Sequence, residues 1–269
     1  MEETVTTPQD TQMPDKPRAL PQADNIIAVA SGKGGVGKTW LSITLAHHVA
    51  RSGRRVLLFD GDIGLANIDV QLGLTPKIDL ASVFAGKNKL TDAVMSYENE
   101  GFDIIAGRSG SGSYGMLSPE RLEAVKAELL ELSKQYDLVI LDLGAGVEHH
   151  VRSLSAIAAR CLVVLTDEPT SMTDAYAFIK LSASKKPRPE IQIVINQATT
   201  QKEGERTYAA ISKVCSTFLK FSPPCAGIIR RDPKVKDAIR NQKSIIIKSP
   251  GATAATDTAA LSVKLMVKQ

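Results

Sequence analysis

Cysteine is scarce in this sequence: Cys161, Cys215 and Cys225 are three residues in 269. Their spacing offers neither a disulfide framework nor a Cys-x-x-Cys metal pair, so they are expected to be buried thiols in a reducing compartment. No apolar run reaches the roughly 18 residues that a membrane-spanning helix needs. The N-terminus lacks the apolar stretch and small-residue cleavage site of a secretory leader, so a cytosolic setting is expected. With 19 Gly and 13 Pro the chain is neither collagen-like nor low-complexity. No internal repeat is visible, which excludes solenoids and propellers.

What is there is globular: 43% hydrophobic and 23% charged residues, with a net charge of +4. The charge is uneven. Residues 1–24 hold five acids, two bases and four prolines, a net of −3, which leaves +7 for the remaining residues. Such a leader cannot bury enough surface to offset its ordering entropy, and it is expected to be a disordered tail. Residues 25–250 are expected to form one domain, with a connector and a C-terminal helix over 251–269.

The domain alternates strands and helices. NIIAVAS, RRVLLFDGD, GFDIIAG, YDLVILDLGAG, RCLVVLTDEPT, EIQIVINQ and PCAGIIR read as strands. They are rich in Val, Ile and Leu without polar alternation, which marks strands buried on both faces of a parallel sheet. Helical spacing follows most of them, and Ser118 with Pro119 starts one helix with a partial cap. The fold class predicted is α/β: a single doubly wound domain whose mostly parallel sheet is flanked by helices.

The strongest motif is SGKGGVGKT, Ser31 to Thr39. Gly32, Gly37, Lys38 and Thr39 fit the phosphate-loop pattern between a buried strand and a helix. Backbone N–H groups of Gly32, Lys33, Gly34, Gly35, Val36 and Gly37 can converge on phosphate oxygens at a helix N-terminus. Lys38 is placed to reach the outer phosphates, and the Thr39 hydroxyl to ligate Mg²⁺. Acids at the carboxyl ends of neighbouring strands are candidates for metal and water: Asp60 and Asp62 end the second strand and Asp142 the fourth. The adjacent pairs His47–His48 and His149–His150 point to different helix faces and do not read as metal sites.

Lys33 gives the loop a second lysine, and KGGVGKT resembles the deviant Walker A ATPases of the MinD/ParA group. The run DGDIGLANIDVQLGL, residues 60–74, resembles the flagellar-number regulators of the FlhG/FleN type more specifically. This resemblance covers about residues 25–245. It implies a P-loop, MinD-like fold that binds ATP with Mg²⁺ and hydrolyses it slowly. It also implies an ATP-dependent homodimer in which Lys33 reaches the partner's phosphates. By the same resemblance Asp62 orients the attacking water. Asp142 is the acid near Mg²⁺, with Asp60 as further support. Gly144 and Gly146 belong to a flexible second switch, and Asn196 contacts adenine. GIIRRDP, residues 227–233, corresponds to a segment enclosing the base, with Arg230 where Pro is usual. Trp40 stands where a small polar residue commonly follows the loop.

The partners implied are an FlhF-type GTPase and flagellar basal-body components. A C-terminal membrane-binding helix would place the protein peripherally at the membrane or cell pole. TAALSVKLMVKQ separates its polar and apolar faces poorly, which favours a helix packed back on the domain. Two other switches share this fold: a DNA-partitioning ATPase of the ParA kind and a MinD-like division-site regulator. Arg230, Arg231, Lys234, Lys236, Arg240, Lys243 and Lys248 would serve the first, although a charge run is more often a solvated face. A small-molecule phosphotransferase has no second substrate motif in its favour.

Overall fold

The computed structural model describes residues 20–63, 65–97, 101–108, 118–184 and 188–267. It opens with β1 (Ala23–Ser31), α1 (Lys38–Ala50) and β2 (Val56–Gly61). Two short helices, α2 (Ile68–Leu72) and α3 (Leu80–Phe84), lead to β3 (Met95–Tyr97) and β4 (Phe102–Ile105). Then come α4 (Pro119–Ser133), β5 (Leu138–Ala145), α5 (His149–Ser155), β6 (Ala158–Leu165) and α6 (Pro169–Ala183). They are followed by β7 (Glu190–Ala198), α7 (Gln201–Leu219) and β8 (Cys225–Arg230). The chain closes on α8 (Pro233–Arg240), α9 (Ile245–Lys248) and α10 (Thr253–Met266).

The described strands form one eight-stranded sheet in the order β3-β4-β2-β5-β1-β6-β7-β8. All neighbours are parallel except β3, which runs antiparallel to β4. This is the doubly wound, mostly parallel architecture that the strand–helix alternation predicts. The central strand shows why its sequence is continuously apolar. Ile26, Ala28 and Ala30 enter one layer with α4 to α7, while Ile27 and Val29 enter the other with α1 and α8 to α10. With helices on both faces, neither set of side chains meets water.

Local signals place several boundaries. The Ser118 hydroxyl accepts the Arg121 N–H at 3.2 Å, and Pro119 opens α4. Thr200 caps α7 by accepting the Glu203 N–H at 3.1 Å, which starts that helix at Gln201. The edge strand β3 was not foreseen, since its three residues, MSY, carry no readable period.

The C-terminal segment differs from its expectation. GATAATD, read as a connector, supplies the cap and first turn of α10, with Ala254 and Ala255 buried. Together with Thr258, Leu261 and Leu265 they form the face that packs on β8 and α1. Alanines are small enough to let helix and sheet approach closely, and an arc drawn through the larger apolar side chains misses them. Among the described residues no helix is long and apolar enough to cross a membrane. Residues 1–19 of the acidic leader lie outside the described residues. Leu20 already packs on the core, and the Gln22 amide donates to the Ala158 carbonyl at 2.9 Å.

Candidate nucleotide-binding site

The carboxyl ends of β1, β2, β5, β6 and β7 bring the singled-out residues to one edge of the sheet. Between β1 and α1 the chain turns through Gly32 to Gly37. Gly32 is required by close approach, because a Cβ there would lie 2.1 Å from the Asp174 backbone of α6. Gly37 is required by conformation, with φ of 93° in the left-handed region at the N-cap of α1. Around Gly34 and Gly35 a side chain would meet only open space, so the turn is clear on its outer side. No side chain caps α1 and no acid lies in its first turn. Its N–H groups and positive dipole end are thus free for an anion. Lys38 is buried at the start of this helix.

Asn196 and Gln197, at the end of β7, brace the turn from below. The Asn196 amide donates to the Val36 carbonyl at 2.7 Å, and Gln197 donates to the Gly35 carbonyl at 3.3 Å. Sequence reasoning passed over Gln197, which adopts a φ of 58° that only a minority of non-glycine residues tolerate. The VINQ motif singled out Asn196 for a base contact, whereas one of its N–H groups here supports the loop. Lys33 extends along the rim of the turn. Its ammonium meets the Glu168 carboxylate at 2.6 Å and the Thr170 hydroxyl at 2.8 Å. That contact holds the Glu168 carboxyl below the usual range.

The acids occupy the opposite wall. Asp60 and Asp142 are buried register partners on β2 and β5. Burial, reinforced by the Asp142 charge, pushes Asp60 up to about 8. Asp142 is also raised by burial, against the pull of Lys38 and of hydroxyl donors on Thr39 and Ser42. The Ser42 hydroxyl donates to Asp142 at 2.9 Å. Asp62 accepts the Leu65 N–H at 3.0 Å and faces Gly144, where a Cβ would come within 3.3 Å of its carboxylate. Gly146, with φ of 104°, donates its N–H to the Ser31 carbonyl at 2.9 Å and so ties the second switch segment to β1.

Three expected site residues are placed differently. The Trp40 side chain packs in the layer between the sheet and α1, and only its backbone N–H belongs to the helix start. Its buried indole N–H has no hydrogen-bond partner. The Arg230 guanidinium turns away to α10, where it meets Asp257 through Nε at 2.9 Å and Nη2 at 2.7 Å. The Arg230 backbone N–H donates to the same carboxylate. Asp60 already accepts three backbone N–H groups, from Asp62, Asn67 and Ile68, each at 3.2 Å.

The histidine pair of α1 makes contacts within the fold. His47 meets Ser244 at 2.6 Å and His48 meets Ala255 and Thr258 at 3.2 Å, fastening α1 to the C-terminal helices. Among the described residues no group of three or more His, Cys, Asp or Glu side chains could hold a metal alone. The Thr39 hydroxyl and the Asp142 carboxylate, beside an open phosphate loop, are donors of the kind that suit Mg²⁺, which keeps waters and takes one or two carboxylates together with phosphate oxygens. A groove of about 680 Å³ at the amino ends of the strands, lined in part by Arg54, Asp137, Arg160 and Leu265, lies away from all of these groups.

A glycine turn from a buried strand into an uncapped helix, with lysines on the loop and acids on adjoining strands, defines a P-loop nucleotide-binding protein. Residues 27–245 match the CobQ/CobB/MinD/ParA nucleotide binding domain, and the chain belongs to that family. It is 38% identical over 240 residues to the antiactivator FleN of Pseudomonas aeruginosa, covering 89% of this chain and 85% of FleN. It is 32% identical over 219 residues to the flagellum site-determining protein YlxH of Helicobacter pylori, covering 81% of this chain and 73% of YlxH. In fold it is similar to the septum site-determining protein MinD of Pyrococcus horikoshii, complexed with Mg-ADP. There the TM-score is 0.76 at 23% identity, over 91% of this chain and 96% of the other.

Proposed function

We propose that this chain is a slow, dimer-dependent ATPase switch whose nucleotide state regulates the number or placement of flagella. One observation carries the nucleotide chemistry. A phosphate loop open on its outer side has Lys38 buried beneath it and the half-buried Lys33 on its rim, while Asp62 follows β2 directly and Asp142 lies on β5. The flagellar assignment rests on likeness to FleN and YlxH.

Bound Mg-ATP would supply the transferable phosphoryl group and a metal to neutralise its charge. Thr39 and Asp142 are the residues proposed to hold that metal. Lys38 and the N–H groups of residues 32–40 bind and orient the phosphates. Asp62, already fixed by the Leu65 N–H, is placed to hold the attacking water across from Gly144. Lys33 is held within its own chain by Glu168 and Thr170, both at the surface. In the proposed cycle it exchanges these partners for the phosphates of a second copy, which couples dimerisation to hydrolysis. Asn196 would turn its remaining amide groups to the adenine edge.

The partners of the ATP-bound dimer would be an FlhF-type GTPase or basal-body components, at the cytoplasmic membrane face or pole. The partitioning alternative is weaker here, because two of the seven bases in its stretch are engaged by Asp257 and Asp237. Size-exclusion chromatography of wild type and Asp62→Ala with ADP or ATP tests the switch. The reading predicts a dimer that accumulates with ATP in Asp62→Ala, whereas identical monomer elution in all four cases would overturn it.

A further inference from the structure

We infer that Asp60 is a positioning residue, the anchor that fixes the loop bearing Asp62, and not a metal ligand. Both oxygens of its buried carboxylate face the chain that follows β2. Oδ1 accepts the N–H of Asp62, and Oδ2 accepts the N–H groups of Asn67 and Ile68. With three N–H donors shared between its two oxygens, most of the acceptor capacity of this carboxyl group is already taken. The pair at Oδ2 draws residue 68 back over residue 60, which closes the turn from both ends and starts α2. Ala66 is packed beside the same carboxylate against Gly107, where a Cβ would meet the Ala66 methyl at 2.3 Å and Asp60 Oδ2 at 3.9 Å.

The consequence is set by what the loop carries. Asp62 accepts the Leu65 N–H from within the turn that Asp60 closes, and its carboxylate rests against Gly144. Without the anchor, Asp62, Asn67 and Ile68 lose the three backbone bonds that tie them to the end of β2, and the segment is held mainly by apolar packing. Asp142 is held differently, by hydroxyls from α1: Ser42 donates to it at 2.9 Å and Thr39 is a second hydroxyl donor, which places it beside the residue proposed to hold the metal. The two buried acids, adjacent in the sheet, thus divide the work. Asp142 faces the phosphate side and Asp60 holds the loop.

This inference rests on the proposed ATPase reading for its effect on turnover, but not for its structural content. The test compares Asp60→Asn, Asp60→Ala and Asp142→Asn in the full chain by amide hydrogen exchange without nucleotide, followed by Mg²⁺ titration of ATP turnover. In both Asp60 variants the amides of Asp62, Asn67 and Ile68 should lose about tenfold or more of their protection. Their kcat should fall with KM little changed, and their half-saturating Mg²⁺ concentration should stay within about twofold of wild type. Asp142→Asn should do the reverse, keeping loop protection and raising the Mg²⁺ requirement. Normal loop protection with a raised Mg²⁺ requirement in Asp60→Asn would overturn the inference. If either Asp60 variant melts early, loop exchange measured relative to the core amides of β1 keeps the comparison valid. Wild-type protein without Mg²⁺-dependent turnover would defeat the ATPase reading and leave the exchange result standing.

Discussion

At Gly32 the backbone of α6 comes so close that even a methyl group has no place, and the phosphate loop inherits its position from that contact. Gly32→Ala should therefore cost about 1–3 kcal/mol in urea unfolding through overpacking alone. Ala at Gly34, where a Cβ meets open space, should cost much less. His48 supplies a pH dependence. Burial lowers its pKa from 6.5 to about 4, partly offset by the Ala255 carbonyl. The unfolded chain therefore binds a proton on this side chain across that window while the folded chain does not. Stability from neutral His48 is present above pH 6.5 and is lost progressively as pH falls towards 4. Thermal melts of His48→Gln should show a smaller drop in Tm between neutral pH and about pH 5 than wild type. An unchanged drop would assign the acid sensitivity elsewhere. The loop residues were legible in sequence because phosphate binding constrains type and spacing together. Gln197 was not, because its contact depends on β7 ending directly beneath the loop, a relation that only the sheet order creates.

The elements were readable in proportion to how far their environment repeats. Buried parallel strands print long apolar runs, and seven of the eight were read that way. The antiparallel edge strand β3 spans three residues and pairs on one side, so nothing in its sequence distinguishes it from loop. The C-terminal helix shows a second kind of misreading. Its docking depends chiefly on Ala254, Ala255, Leu261 and Leu265, all buried, while Val263 and Val267 point outward. Burial of two leucines outweighs the ion pair between Arg230 and Asp257, so α10 is held by its apolar face and aligned by that pair. Leu261→Ala should accordingly destabilise the protein by about 2–4 kcal/mol. Asp257→Ala should cost less, and the cycle with Arg230→Ala should return a coupling of about 1 kcal/mol. A coupling near zero would mean that the two guanidinium bonds to Asp257 add nothing to the bond it accepts from the Arg230 backbone N–H.

For the whole molecule, the edge of the sheet that carries the loop faces outward with Lys33 on its rim, and this arrangement suits a site completed by a second copy. The net charge of the body, +7 by sequence, includes two lysines of the loop itself. A dimer that joins two such loops brings four lysines together and needs the phosphates of ATP between them, which explains why the nucleotide should drive association. Sequence alone gave the lysine pair and the acids. It could not give the present partner of Lys33, because Glu168 and Thr170 are brought to the loop only by the pairing of β1 with β6.

The central claim is that Lys33 acts in the partner's site while Asp62 acts in its own. The most direct measurement mixes two inactive variants, Lys33→Ala and Asp62→Ala, in equal amounts with Mg-ATP and follows phosphate release. In a mixed two-fold dimer one site keeps both residues, so the account predicts recovery of up to about a quarter of wild-type turnover. A mixture as inactive as its two components, with mixed dimers demonstrably formed, would contradict it.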